Sequence, residues 1–238
     1  MEDNLSAPPE LARPPFFPPA EIWVFGAGHF GYLAAKRLSR RYPEARLLVV
    51  DRQDTRLEAI RRDLGADTVQ EEALAFLARS NPPDTLWLIP AVPIHLALEW
   101  TIEQLRRSGE ARSLPVPALV DALVPNPYRI AAGTLYASFA TFLCPDVCNE
   151  PDELCTHTRE PRPGNLYEVL SRIRVPGYRV AVARSWQLAP GVGGYTAGYL
   201  RKVLEGIKAE PGAHLLATSC RCHGVIDGLE WKRLAVSG

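Results

Sequence analysis

The chain has 238 residues, 47% of them hydrophobic and 23% charged, and its 27 Lys+Arg balance its 27 Asp+Glu. Zero formal charge exerts no long-range pull on nucleic acid or on an anionic membrane, and no apolar run approaches the ~18 residues that span a bilayer. These features exclude nucleic-acid binding and membrane insertion as expected roles and leave a small-molecule ligand as the expected partner. A homodimer is compatible with the composition.

Residues 1–20 contain six prolines and begin on acidic residues. Proline removes an amide donor and fixes φ, so this stretch reads as a flexible arm, with Phe16 and Phe17 pinning its end. It lacks the basic-then-apolar pattern of a secretory signal, so the expected location is cytoplasmic, with reduced cysteines. From residue 21, strand signals fall at 21–25, 46–50, 67–70, 85–89 and 116–120. Helical patterns fall at 29–41, 55–64, 71–79 and 93–107. Such alternation predicts an α/β fold, a parallel sheet with helices on both faces and strand order 3-2-1-4-5.

The first strand runs into "EIWVFGAGHFGYLAA". Gly26, Gly28 and Gly31 match G-x-G-x-x-G, placing a tight turn, a close approach to pyrophosphate and close helix packing in order. The helix start adds free amides and a positive dipole, and His29 there touches phosphate or caps the helix. Asp51 ends the second strand, twenty residues after Gly31. A carboxylate there binds ribose hydroxyls and repels a 2′-phosphate, which favours NAD over NADP, although Arg52 beside it suits that phosphate.

The stretch "WVFGAGHFGYLAAKRLSRRYPEARLLVVDRQDTRLEAIRRDLGAD" resembles the TrkA-N, or RCK N-terminal, domain over residues 21–125. The resemblance implies a Rossmann-like domain that binds NAD(H) or related adenine nucleotides and regulates potassium transport. It further implies nucleotide contacts at Gly26, Gly28, Gly31 and Asp51, and an acidic residue after the third strand, here Glu71 or Glu72.

Residues 126–238 have a different texture. "GTLYASFATFL" is apolar and fits a strand or a short helix, and "CPDVCNEPDELCTHTREPRPGN" is rich in proline and charge. A helix is then expected at 165–174, a strand at 178–184, a helix at 195–208 and a strand at 213–218, the two strands forming a parallel pair. The predicted whole is thus a Rossmann-like parallel sheet with a C-terminal cysteine-rich α/β extension.

All five cysteines lie in this extension. Cys144, Cys148 and Cys155 are spaced C-x3-C-x6-C, and Cys220 and Cys222 precede His223. In a reducing compartment such clustering points to metal or redox chemistry. A four-cysteine iron–sulfur cluster comes first, zinc with N/S ligands second, a thiol–disulfide pair third and packing thiols last. Nearby acids, Asp146, Glu150, Asp152 and Glu153, favour a cation among the thiolates. The segment "VARSWQLAPGVGGYTAGYL" looks like a second strand–turn–helix, in which Gly191, Gly193 and Gly194 form an anion or substrate loop, or merely a structural turn. Loops leaving parallel strands at one edge should place "APGVGG" and "CRCHG" on one crevice, with 144–155 folded over it.

Ser185, Gln187, Asp227 and Glu230 are further polar candidates, and His95, beside the nicotinamide region, reads as an interior or capping histidine first and as a catalytic histidine second. No G-x-S-x-G is present, and the catalytic residues stay unassigned. Two functions follow: an NAD(H)-binding oxidoreductase using a cysteine-ligated metal or iron–sulfur site, and a nucleotide-sensing regulatory subunit of the TrkA-N type.

Overall fold

The computed structural model describes residues 18–129 and 133–234. The expected proline-rich arm, with Phe16 and Phe17, lies outside the described residues except at 18–20. The fold is mixed α/β, built on two six-stranded sheets.

The first sheet follows the expected order through four strands. β1 (Glu21–Phe25) pairs in parallel with β2 (Arg46–Asp51) and β4 (Trp87–Pro90), and β2 pairs with β3 (Asp67–Gln70). Helices α1 (His29–Arg41), α2 (Asp54–Leu64) and α3 (Ala73–Arg79) connect them. Near-continuous apolar runs such as "LLVV" suit strands covered on both faces, and Val24, Phe25, Val49 and Val50 are fully buried. The face of α1 that meets the sheet holds Gly31, Ala34, Ala35 and Leu38, small residues that allow close approach.

The fifth position departs from expectation. Residues 116–120 are not a strand; 118–123 form a 3₁₀ turn after Pro117, because the flanking Pro115 and Pro117 remove ladder donors. After α4 (Leu96–Arg106), β5 (Gly109–Leu114) leaves for the second sheet and runs antiparallel to β12 (His223–Arg233). Its sequence, GEARSL, is too polar for a doubly covered position. The place beside β4 is taken by β10 (Val192–Thr196), antiparallel and followed outward by β9 (Trp186–Ala189). Pairing therefore crosses residue 125 in both directions.

The second sheet runs β6 (Tyr128–Arg129), β7 (Leu135–Ser138), β12, β11 (Gly212–Ser219), β8 (Tyr178–Arg184). β8 and β11 are parallel as expected, joined through the β9–β10 hairpin and α6 (Ala197–Ala209). The apolar stretch 133–143 supplies β7, a strand. The segment expected as a second strand–turn–helix is instead this hairpin, and α6 begins only after Thr196, whose hydroxyl accepts from the Tyr199 amide at 3.2 Å. The hairpin leaves the second sheet and completes the first. At that junction Trp186 packs edge-on against Trp87, with ring centroids 6.3 Å apart, and against Tyr199 at 4.7 Å. A smaller core beneath the second sheet packs α5 (Leu166–Arg172) on Leu215, Ala217 and Ile226.

Candidate functional site

The carboxyl edge of the first sheet opens into a crevice of 810 Å³ lined by Gly26, Gly28, His29, Asp51, Arg52, Arg56 and Glu72 on one side and by Pro90–Ile94 on the other. It lies where the strand order reverses between β1 and β4, the general ligand position in open α/β sheets. The three glycines differ in their surroundings. Gly26 has φ +100°, and a Cβ there would meet the Ala91 carbonyl oxygen at 2.5 Å. A Cβ on Gly31 would overlap the Gly26 carbonyl. Gly28 has ordinary extended dihedrals, φ −67° and ψ −169°, and a Cβ there would find only Arg56 Nη1, at 3.6 Å. Gly26 and Gly31 are thus demanded by the protein itself, whereas Gly28 faces the crevice. α1 starts there with no side-chain cap and no acid in its first turn, so its leading amides point toward the crevice unsatisfied by side chains.

Asp51 is nearly buried and fixed. Its Oδ2 accepts from the Ala27 amide at 2.6 Å and its Oδ1 from the Gln53 amide at 2.8 Å. Arg56 Nη1 lies 3.8 Å from Oδ2. His29 opens α1 with its ring against Phe30. Of the two acids after β3, Glu72 lines the crevice and caps α3 by accepting from the Ala75 amide at 2.8 Å. Glu71 is bound to Arg79.

A second cavity, of 540 Å³, abuts the first. All five cysteines line it, with His95, Arg162, His223, Ser185 and Gln187. The two spaces share Pro90, Val92, Pro93, Ile94, Gly191, Val192 and Gly193 as a common wall. The expected meeting of "APGVGG" and "CRCHG" therefore occurs, with the 144–155 loop over it. That loop has little regular structure and is held from outside. Cys148 O accepts from the Gly191 amide at 2.9 Å and from Gln187 Nε2. Arg37 of α1 donates to Asp146 O at 2.7 Å and to Pro190 O at 3.0 Å, and Glu150 accepts from the Arg221 amide.

The three later glycines do not form an anion nest. Gly191 sits at the hairpin tip with φ +65° and its amide engaged by Cys148. Gly193 and Gly194 lie within β10, where a Cβ would press on Ser185 Oγ and Leu88 O, each at 2.5 Å. They serve close packing and border the cavity through Gly191 and Gly193.

The thiols differ electrostatically. Burial raises Cys144, helped by the neighbouring Cys148 and Cys155. Burial also raises Cys220 strongly and pushes Cys222 up to about 11. Cys155 is lowered, chiefly by the Thr158 backbone amide. Burial lowers His223. The acids near the loop are engaged by arginines, Asp146 by Arg37 at 3.2 Å and Asp152 by Arg221. Among the described residues, no three His, Cys, Asp or Glu side chains are gathered as a single metal ion requires, and all five cysteines are free.

His95 holds the N-cap position of α4 without a side-chain cap bond and lines the cysteine cavity. Its Nδ1 lies 2.9 Å from Asp227 Oδ2 and its Nε2 2.7 Å from Thr218 Oγ1, while Thr134 donates to Asp227 Oδ1 at 2.6 Å. This chain of partners ties the first sheet's α4 to β11 and β12. Glu230 lies away from the cavities, paired with Arg112. Sequence reasoning missed Arg56, Arg162 and the pairing of His95 with Asp227. An arginine one turn beyond the ribose acid was the available signal for the first; nothing local signals the others.

The chain is 27% identical over 227 residues to a protein of Archaeoglobus fulgidus described as "Uncharacterized protein", covering 87% of this chain and 98% of that one. No solved structure matches. A family model described as "Uncharacterized protein, C-terminal domain" matches residues 97–232, more than half of the chain, from α4 through nearly all of β12 and including every cysteine. The chain belongs to that family, AF_1314_C.

Proposed function

We propose that this chain is an NAD(H)-binding redox protein, an oxidoreductase in which the nicotinamide half of the dinucleotide lies against the wall shared with the cysteine cavity. The observation that carries the reading is Gly28. Neither its dihedrals nor its protein neighbours call for glycine, so the missing side chain is explained by a ligand that approaches the backbone there, as a pyrophosphate does on an uncapped helix start. Asp51, held by two amides, supplies a fixed carboxylate for the adenosine ribose. Arg56 sits over the pyrophosphate position. On this reading the adenosine lies on the β2 side and the nicotinamide beyond β4, beside Pro90–Ile94.

On this reading the thiol cavity, lined by all five cysteines, would receive the metal centre, iron–sulfur or zinc, since thiolates suit both; its thiols would have to draw together on binding, because no three donors are gathered among the described residues. Calorimetric titration of the purified chain with NADH and NADPH tests the nucleotide assignment. NADH should bind at least tenfold more tightly, and equal affinities would remove the argument from Asp51.

A second reading is supported by His95. Both its ring nitrogens are engaged, so the histidine beside the nicotinamide position acts as a tie between the two sheets. A ligand that moved the shared wall would be felt in both cavities. That suits a nucleotide-sensing regulatory subunit of the TrkA-N type, linked to potassium transport.

A further inference from the structure

We propose that Thr218, His95 and Asp227 form a catalytic relay for acyl transfer, in which the Thr218 hydroxyl attacks a short-chain carboxylic ester bound in the cysteine cavity. This activity lies beyond the nucleotide reading and does not depend on it.

The relay is set by its end groups. Asp227, as a carboxylate, only accepts. Its Oδ1 takes the Thr134 hydroxyl at 2.6 Å, and its Oδ2 lies 2.9 Å from His95 Nδ1. The Nδ1 proton therefore points at Asp227, and a neutral ring leaves Nε2 as an acceptor. Thr218 Oγ1 stands 2.7 Å from that nitrogen and donates to it. The bonds that tie the two sheets thus also fix the tautomer of a general base, with the attacking hydroxyl on Nε2 and the carboxylate on Nδ1.

Placement separates this chain of bonds from a purely structural one. Thr218 and His95 both border the 540 Å³ cavity, while Asp227 is buried outside its wall, at 8% exposure. Thr218 is only half-buried, so its side chain is open to a bound molecule. It stands next to last in β11, and His95 leads into α4. The end of a strand from one sheet and the start of a helix from the other deliver the two groups to one space.

The cavity also holds a donor in need of an acceptor. Tyr195 borders it, on the face of β10 that carries Gly193. Its hydroxyl is buried with no partner among the described residues, an arrangement that costs stability unless something completes it. An ester carbonyl oxygen is such an acceptor, and it gains most from the donor as negative charge develops on it during attack. Val92, Ile94, Val192 and Val225 supply an apolar wall for the acyl chain.

In the reaction Thr218 Oγ1 bonds to the acyl carbon and its proton passes to His95 Nε2. The ester C–O bond breaks, and His95 returns the proton to the leaving oxygen. Water then attacks the acyl-threonine through the same histidine, releasing the carboxylic acid and the free hydroxyl. No oxidant or reductant enters the balance.

The test incubates the full chain with p-nitrophenyl butyrate and, separately, with a fluorophosphonate, whose adduct is located by peptide mapping. The ester should be turned over, and the fluorophosphonate should stop turnover and sit on Thr218. Thr218→Val and His95→Gln should each lower the rate by about 10²–10⁴-fold. Asp227→Asn, which keeps the shape but presents a donor to His95 and so favours the wrong tautomer, should lower it by a similar factor. Thr218→Ser keeps the hydroxyl and should retain the rate within about tenfold. Hydrolysis that survives Thr218→Val, or a fluorophosphonate adduct on a cavity cysteine in place of Thr218, overturns the assignment. A wild type that neither hydrolyses the ester nor takes up the fluorophosphonate overturns the activity altogether. The adduct is read on the wild type, so the outcome does not hang on the folding of any variant.

Discussion

Gly28→Ala separates a glycine kept for the fold from one kept for a ligand. The added methyl meets nothing nearer than Arg56 Nη1 at 3.6 Å, and the backbone at Gly28 already has dihedrals open to any residue. Folding stability should therefore hold within ~0.5 kcal/mol, or rise by about 0.4–1 kcal/mol through the reduced entropy of the unfolded chain. Binding should respond in the opposite sense. A methyl in the pyrophosphate's place displaces it from the amides at the start of α1. Losing two charge-assisted hydrogen bonds at roughly 1.5–3 kcal/mol each weakens NADH by about 10²–10⁴-fold. Gly31→Ala is the control: its methyl would overlap the Gly26 carbonyl, so it should destabilise the fold by ~1–3 kcal/mol or more. Denaturant melts and calorimetric NADH titrations on the same samples read both quantities. Gly28→Ala that binds NADH like the wild type, or that loses more than ~1 kcal/mol of stability, refutes the reasoning.

Three further outcomes follow from the geometry. Asp227→Ala strands the buried His95 Nδ1 and Thr134 Oγ1 and should cost about 2–5 kcal/mol in urea melts; a loss under ~1 kcal/mol would mean the tie between the sheets is not tight. In metal-free protein, iodoacetamide should modify Cys155 first at neutral pH, because its pKa is lowered whereas Cys144, Cys220 and Cys222 are raised; peptide mapping that finds Cys222 modified earliest would contradict this. Burial lowers both His214 and His223, so the unfolded chain binds more protons between their folded values and the ordinary 6.5. Their contribution is complete above about pH 6.5 and lost as pH falls below it, and His214→Gln should flatten the fall in melting temperature across that window.

What could be read from the sequence was local. β1, β2 and β4 announce themselves as apolar runs each followed by a helical pattern, and the glycine turn lies within one such unit; β3, DTVQ, is marked mainly by its place between two helices. The fifth strand position was not legible because its pairing is distant: Tyr195 and Thr196 meet Leu88 and Trp87, and residues 109–114 meet 228–233. Pro115 and Pro117 did argue against a strand at 116–120, but proline says only what a segment cannot do. The glycines of 191–194 misled because φ > 0 at a hairpin tip and close packing inside a strand use the same residue as a phosphate loop. Cysteine spacing pointed to a shared site, and all five thiols do line one cavity, but the meeting of the 144–155 loop with the β11–β12 hairpin is a tertiary contact that no spacing encodes. His95 and Asp227, 132 positions apart, meet through the docking of two sheets that no local pattern encodes.

The most direct test of the central claim is a crystal structure of the chain with NADH. One dinucleotide should lie across the carboxyl edge of the first sheet. Its ribose should lie on Asp51, its pyrophosphate over Gly28 and Arg56, and its nicotinamide against Pro90–Ile94 with the cysteine cavity behind. A crevice left empty at saturating NADH, or a nucleotide bound with its adenine toward the cysteines, would contradict it.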